Sequence, residues 1–276
     1  MASDIPQPAL PQGQRAKVSG TRRSFPAVRA IMALMLREMS TRYGRSPGGY
    51  LWALLEPLAG ILILSLGFSL IARTPPLGNS FILFFATGFL PFLYYSNLSS
   101  DIGRCIKFSK ALLFYPSVTW VDAALARLIL VTLTDVLVMI LLFTGLILAA
   151  GIHVDLSAGP IILAVALTGL MSFGLGLINC MLFGLYPVWM QIWGIVNRPM
   201  FLISGAFFLY EDMPRVAQDY LWYNPLIHIT GLMRQGFYTS YTAEYVSVSY
   251  VLVFSIVAIF FGSMLLRRHH RTILNA

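Results

Sequence analysis

Six stretches of this sequence are apolar for long enough to cross a bilayer as helices, and that recurrence limits the fold more than any other feature. A helix rises 1.5 Å per residue, so a hydrocarbon core of ~30 Å takes about 20 predominantly apolar residues. Spans are expected over about residues 51–72, 79–100, 121–150, 160–184, 188–209 and 246–266. Inside lipid the backbone amides must be paired within the protein, and long continuous apolar runs meet that demand as helices. The expected fold class is therefore an all-α integral membrane protein. Charged residues make up only 11% of the 276 and hydrophobic residues 58%, where soluble domains carry roughly 25% charged.

The net charge of +8 does not point to nucleic acid, because the positive residues sit beside the spans. Eight Lys or Arg precede Tyr50, Arg104, Lys107 and Lys110 follow the second span, and Arg267, Arg268 and Arg271 close the last. Positive residues accumulate on the cytosolic side, which places both ends of the chain there. Residues 1–24, rich in Pro, Gln and Ser, are expected to be a disordered cytosolic tail.

Between the tail and the first span a helix is expected over 25–46. Val28, Ile31, Met32, Met35 and Met39 recur at helical spacing, with Arg29, Ala33 and Arg37 opposite, a pattern that suits a helix lying on the inner membrane surface. Pro47-Gly48-Gly49 should break it, and Tyr50 and Trp52 suit the headgroup layer. Glu56 falls in the first turns of the first span, as a carboxylate paired with a nearby arginine or as a substrate contact.

The second span ends in a basic loop, Asp101 to Trp120, expected to hold a short helix and a turn. The third helical pattern, Val118 to Ala150, is too long for one span and should begin in the cytosol around Asp122 and Arg127. Asp135 then lies within the membrane, where a lone carboxylate costs roughly 2.5–3.5 kcal/mol, so it needs a partner. The fourth span places Thr168, Ser172, Gly176, Cys180 and Gly184 at i, i+4 spacing, a stripe that lets helices approach closely. The fifth carries Asn197-Arg198-Pro199, where the proline should kink the helix and the arginine cannot face lipid. Residues 210–245 are too short for a span and too apolar for an ordinary loop; Pro214 and Asn224-Pro225 each mark the start of a short helix dipping into the outer leaflet.

Motifs for chemistry on this chain are missing. No G-x-x-x-x-G-K-[ST] loop is present, so ATP drive would require another subunit. His153, His228, His269 and His270, with Cys105 and Cys180, have no metal-ligand spacing, and the two cysteines are expected to be free thiols. Phe81, Phe84, Phe85, Phe89, Phe92 and Tyr95 form one helical stripe on the second span, and Trp189, Trp193 and Phe201 offer a facing row on the fifth. Such aromatics either pack the bundle or form a path along which sugar rings slide, with Arg198 as a contact for an anionic group or a structural ion pair.

Two sets of residues carry a resemblance. The first is Arg37-Glu38, Thr41-Arg42-Tyr43, Gly49-Tyr50-Leu51-Trp52 and Glu56-Pro57. The second runs from Asn197-Arg198-Pro199-Met200-Phe201 through Met213-Pro214 and Asn224-Pro225-Leu226-Ile227-His228 to Leu232-Met233-Arg234. Their order and spacing resemble the ABC type-2 permeases that export capsular polysaccharide. The resemblance implies six spans, two short re-entrant helices before the last, and a non-catalytic homodimer carrying two cytosolic ATPase subunits that bind ATP and Mg. It implies that Arg37, Glu38, Arg42, Arg104, Lys107 and Lys110 face the ATPase. The expected cargo is a lipid-linked polysaccharide crossing a bacterial inner membrane, with a further partner spanning the envelope outside. Permeases for O-antigen, teichoic acid or a small amphiphile would share the fold. A membrane glycan-processing enzyme would have to use Glu211, Asp212 and Asp219.

Overall fold

The computed structural model describes residues 26–43, 49–115, 118–151 and 154–275. Among them are ten α-helices and no strand. They are α1 (Pro26–Tyr43), α2 (Gly49–Ser69), α3 (Phe81–Gly103), α4 (Cys105–Leu113), α5 (Trp120–Ala150), α6 (Ala158–Leu185), α7 (Trp189–Leu202), α8 (Arg215–Leu221), α9 (Pro225–Phe237) and α10 (Val248–Asn275). The expected tail, the junction at 44–48 and the side chain of Arg42 lie outside the described residues.

The ends of the long helices follow from local chemistry. Ser80 Oγ accepts the Leu83 amide and starts α3. Thr119 and Asp122 form a reciprocal capping box, with Asp122 Oδ2 2.8 Å from Thr119 N, which satisfies two amides that would otherwise lack partners. This box starts α5 one turn before Asp122 and two before Arg127, at the end of the helix expected to lie in the cytosol. Gly151 ends it in the left-handed conformation, φ 60°, which costs glycine least.

α6 lies at the centre of the bundle, between α3 and α10. A Cβ on Gly176 would stand 2.7 Å from Ile102 Cβ of α3, and one on Gly174 would stand 2.7 Å from Ile259 N of α10. Bare backbone at both positions lets three helices approach closely, as small residues do where lipid supplies no hydrophobic drive. The expected stripe is used: Gly176 and Cys180 face α3 and α4, and Gly184 meets Ile273 of α10. Cys105 and Cys180 are buried, free, and have their Sγ atoms 3.5 Å apart.

Among the described residues five helical segments are long and apolar enough to cross a membrane: Leu51–Ser69, Phe81–Leu113, Trp120–Ala150, Ala158–Leu185 and Val248–Asn275. The stretch 188–209 differs from its expected form. Its helix, α7, has 14 residues, about 21 Å, and the chain then leaves the helical path, with Gly205 at φ 79°. The reason lies in α9. Asn224 Nδ2 donates to Ile203 O (2.8 Å), Thr230 Oγ1 to Ser204 O (2.9 Å), Arg234 Nη1 to Phe208 O (2.8 Å) and Arg234 Nη2 to Ala206 O (3.3 Å). These side chains replace the helical partners of four carbonyls, so irregular backbone is tolerated where protein surrounds it. The last helix also differs, continuing past 266 through the basic cluster to Asn275.

Candidate functional site

The end of the bundle expected to face the cytosol is held by a buried guanidinium. Arg127 of α5 places Nη2 3.1 Å from Glu38 Oε1 of α1, and Nη1 2.7 Å from the Asp101 carbonyl and 3.9 Å from Asp101 Oδ1 of α3. All three side chains are at most 7% exposed. The guanidinium also stands 4.6 Å from the Phe108 ring of α4, which Arg37 approaches at 5.8 Å from α1, a favourable use of the ring's negative face. Arg104, in the break between α3 and α4, reaches back to Asp101 Oδ1 at 2.8 Å. Leu34 of α1 packs with Ala123 and Ala126 of α5 beside the cluster. α1 and α4 are thus fixed to the ends of α3 and α5.

Of the residues expected to meet an ATPase, Glu38 is buried in this cluster and Arg37 is half-buried, whereas Arg104 and Lys107 are exposed and Lys110 partly so. Glu38 therefore acts inside the chain. α1 carries its apolar residues on two sides: Ile31, Leu34 and Met35 pack on α5, while Val28, Met32, Leu36 and Met39 are exposed. The central residues Arg127 and Asp101 were not among the expected site residues. A guanidinium two turns into an otherwise apolar helix, and an acid at the head of a basic loop, are the signals that point to them.

The aromatic stripe of α3 is largely buried. Phe85, Phe92 and Tyr95 are 1%, 8% and 2% exposed, and Phe201 of α7 lies 5.4 Å from Phe89 and 4.8 Å from Phe92, ring to ring. Phe81 stacks on Phe85. Phe201 thus packs its ring on the α3 stripe between the two helices. Trp189 turns elsewhere, donating to Asn179 Oδ1 of α6. Trp193 lines a cavity of about 260 Å³ with Ser96, Ser100, Arg104 and Asn197. Its indole nitrogen and Asn197 Oδ1 are buried there with no protein partner among the described residues.

On the other side of α3, Trp52, Glu56, Tyr94, Asn97 and Asp135 line a cavity of about 310 Å³. Asn97 Nδ2 donates to Asp135 Oδ2 at 3.4 Å, so the intramembrane acid has the partner it requires. α7 has no buried residue, and Arg198 stands exposed on it, away from the bundle interior where it was expected.

At the opposite end of the bundle α9 is almost wholly buried. Arg234, 1% exposed, lies 4.2 Å from the Phe84 ring in addition to its two carbonyls. His228 Nδ1 accepts the Ser247 amide, so its Nε2–H donates to Trp222 O at 2.8 Å. Burial pushes this imidazole below its ordinary value. Glu211 accepts the Tyr241 hydroxyl through both carboxylate oxygens. Among the described residues no group of three His, Cys, Asp or Glu could hold a metal ion.

A bundle of long apolar helices, with a short helix braced on its spans by a buried guanidinium at one end and an interrupted helix plugged by α9 at the other, defines the class as an integral membrane protein. The chain belongs to the ABC-2 type transporter family, whose model matches residues 29–238. It is 33% identical over 247 residues to the polysialic acid transport protein KpsM of Escherichia coli, covering 89% of this chain and 95% of the relative. The capsule polysaccharide export inner-membrane protein CtrC of Neisseria meningitidis serogroup B is 29% identical over 85% of this chain and 88% of its own length. BexB of Haemophilus influenzae, of the same description, is 28% identical over 89% and 92%.

Proposed function

We propose that this chain is the permease subunit of an ATP-driven exporter that moves a lipid-linked capsular polysaccharide across the cytoplasmic membrane of a bacterium. It works as a homodimer with two cytosolic ATPase subunits that bind ATP and Mg, and both of its termini face the cytosol. The observation that carries the mechanism is the Glu38–Arg127–Asp101 cluster, which joins α1 and α4 to α3 and α5. ATP-driven closure of the ATPases pushes on exposed groups such as Lys107 and Arg104, and the cluster passes the movement to the spans. The substrate class follows from the relatives, each of which is described by the polysaccharide it transports or exports.

In this reading α7 and the irregular chain to Leu209 together make a sixth crossing, with α8 and α9 as re-entrant helices from the outer side. α7 has no buried residue, and its Phe201 covers Phe89 and Phe92. Its displacement opens an aromatic path whose weak contacts release a polymer as readily as they bind it. The test is complementation of a strain lacking its capsule export permease. Surface glycan should return, and the chain should co-purify with the strain's ATPase. Normal membrane yield and ATPase capture without surface glycan would overturn the substrate class; failure to capture any ATPase would overturn the coupling.

A further inference from the structure

Cys105 and Cys180 are the only cysteines in the chain, and the fold brings them together across 75 residues of sequence. Their Sγ atoms stand 3.5 Å apart, in van der Waals contact, and the two side chains are 0% and 2% exposed. The sulfurs join elements that meet at a break in the chain. Cys105 is the first residue of α4, directly after Arg104, where α3 has ended. Cys180 lies on α6, the helix packed through glycine against α3 and α10. A thiol is a weak donor and a weak acceptor, so the reduced pair adds little to the seam between α4 and α6.

Access to the pair is one-sided. Cys180 lines a crevice with Arg104, Lys107, Phe183 and Met190, about 10 Å³ in volume, which is room for a single water-sized molecule. Arg104 and Lys107 are exposed and form its rim, while Cys105 is not in its wall. Hydrogen peroxide is neutral and little larger than water, and it suits such an entrance.

We propose that Cys105 and Cys180 are a redox pair, and that hydrogen peroxide closes them into a disulfide tying α4 to α6. Cys180, as thiolate, attacks one peroxide oxygen; the O–O bond breaks, the other oxygen leaves as hydroxide and is protonated to water, and Cys180 becomes a sulfenic acid. The Cys105 sulfur then attacks that of Cys180; the S–O bond breaks, a second water leaves, and the S–S bond forms. In balance, two thiols and one peroxide give one disulfide and two waters. Two electrons pass from sulfur to the peroxide oxygens, and the thiol protons end on the waters. In a reducing cytosol a disulfide is transient and serves as a signal. Its effect on transport rests on the coupling reading given above. The ATPases push on Arg104 and Lys107, and a covalent tie holds the start of α4 against α6, so the push no longer reaches the spans.

The test uses the full chain with its captured ATPase in lipid nanodiscs, treated with hydrogen peroxide and then unfolded in a thiol-alkylating reagent. Both thiols should be lost, and the intact mass should fall by two hydrogen atoms with no oxygen added. The product should run as a single chain on a non-reducing denaturing gel, and dithiothreitol should restore both thiols. With two cysteines per chain, that product is the Cys105–Cys180 bond. Cys105→Ser should stop at a Cys180 sulfenic acid, trapped by a cyclic 1,3-diketone. In Cys180→Ser the remaining thiol should oxidise at least about tenfold more slowly, because susceptibility follows access. Both thiols still open to alkylation, a disulfide between copies, or faster oxidation of Cys105 than of Cys180 would overturn the pair.

The tie itself is read by hydrogen exchange. Amides of α4 should exchange at least about tenfold more slowly in the disulfide form, as local opening is suppressed, and unchanged exchange would overturn the lock. Export should be lost in the oxidised wild type and persist in either Ser variant under the same treatment; export unchanged with the disulfide closed would also overturn the lock. The mass, gel and exchange results need no glycan. A wild-type chain that never exports therefore fails the substrate class alone and leaves them standing.

Discussion

Replacing Arg127 by Met should uncouple the cytosolic helices from the spans. The substitution keeps much of the apolar stem but removes the group that joins Glu38 to Asp101 and the 2.7 Å hydrogen bond to the Asp101 carbonyl. Removing one partner of a buried pair costs about 3–5 kcal/mol, because the other charge is stranded. At roughly 2–4 °C per kcal/mol for a chain of this size, thermal unfolding in lipid nanodiscs should fall by about 6–20 °C. Adding Glu38→Gln to the Met variant removes the buried carboxylate that Arg127 faced and should recover about 1–3 kcal/mol, a coupling energy a double-mutant cycle can measure. ATP hydrolysis by a captured ATPase should persist in the single variant while export falls. Additive effects of the two substitutions, or an Arg127→Met protein with wild-type unfolding and export, would refute the role given to the cluster.

Gly174→Val should lower membrane yield and stability by about 1–3 kcal/mol through overpacking against the α10 backbone. Gly145→Val, at a position with open space around it, should not, and thermal unfolding compares the two. His228 is held neutral with a lowered folded value, so its stability contribution is complete above the unfolded value of about 6.5 and is lost as pH falls below it. His228→Gln should therefore flatten the decline in unfolding temperature between about pH 7 and 5, and an unchanged slope would count against the assignment. Phe89→Leu with Phe92→Leu should reduce glycan export with dimer yield and ATPase activity retained. Wild-type export in that variant would make the rings packing alone.

The long spans were legible because apolar length is a one-dimensional property. The capping box at Thr119 and Asp122 and the stripe on α6 were legible for a similar reason, since their residues lie on one helix. Interactions between distant segments were not. Nothing local in Asn197-Arg198-Pro199 announces that α7 stops at Leu202, because the decision rests on donors more than twenty residues away at Asn224, Thr230 and Arg234. The Arg234 motif was visible as a resemblance, but its physical reason, the capture of stray carbonyls, required the fold. Arg127 was noted as the cytosolic start of a helix, yet its partners Glu38 and Asp101 come from two other elements. Likewise the expectation that Arg198 faces the bundle followed from lipid cost alone, and in the fold Arg198 stands exposed on α7.

The distribution of packing suggests where movement is easy. α3, α6 and α10 meet through glycine backbone and α9 is buried between them and the irregular chain, and close-packed contacts of this kind resist sliding. α7 is different. Its outer end is tied by Asn224 and Thr230 to α9, at a left-handed glycine that any other residue would strain. Its inner half touches α3 chiefly through Asn197 and the cavity that Arg104 also lines. Arg104 belongs to both places, since its guanidinium grips Asp101 in the cytosolic cluster while its stem borders the wall facing Trp193. A shift of α4 against the bundle therefore alters the surface on which α7 rests, while the fixed outer end makes α7 pivot and not translate. A helix that pivots at the end tied to α9 opens most widely at the other, the end that carries Trp193 and lies beside the cavity Arg104 lines.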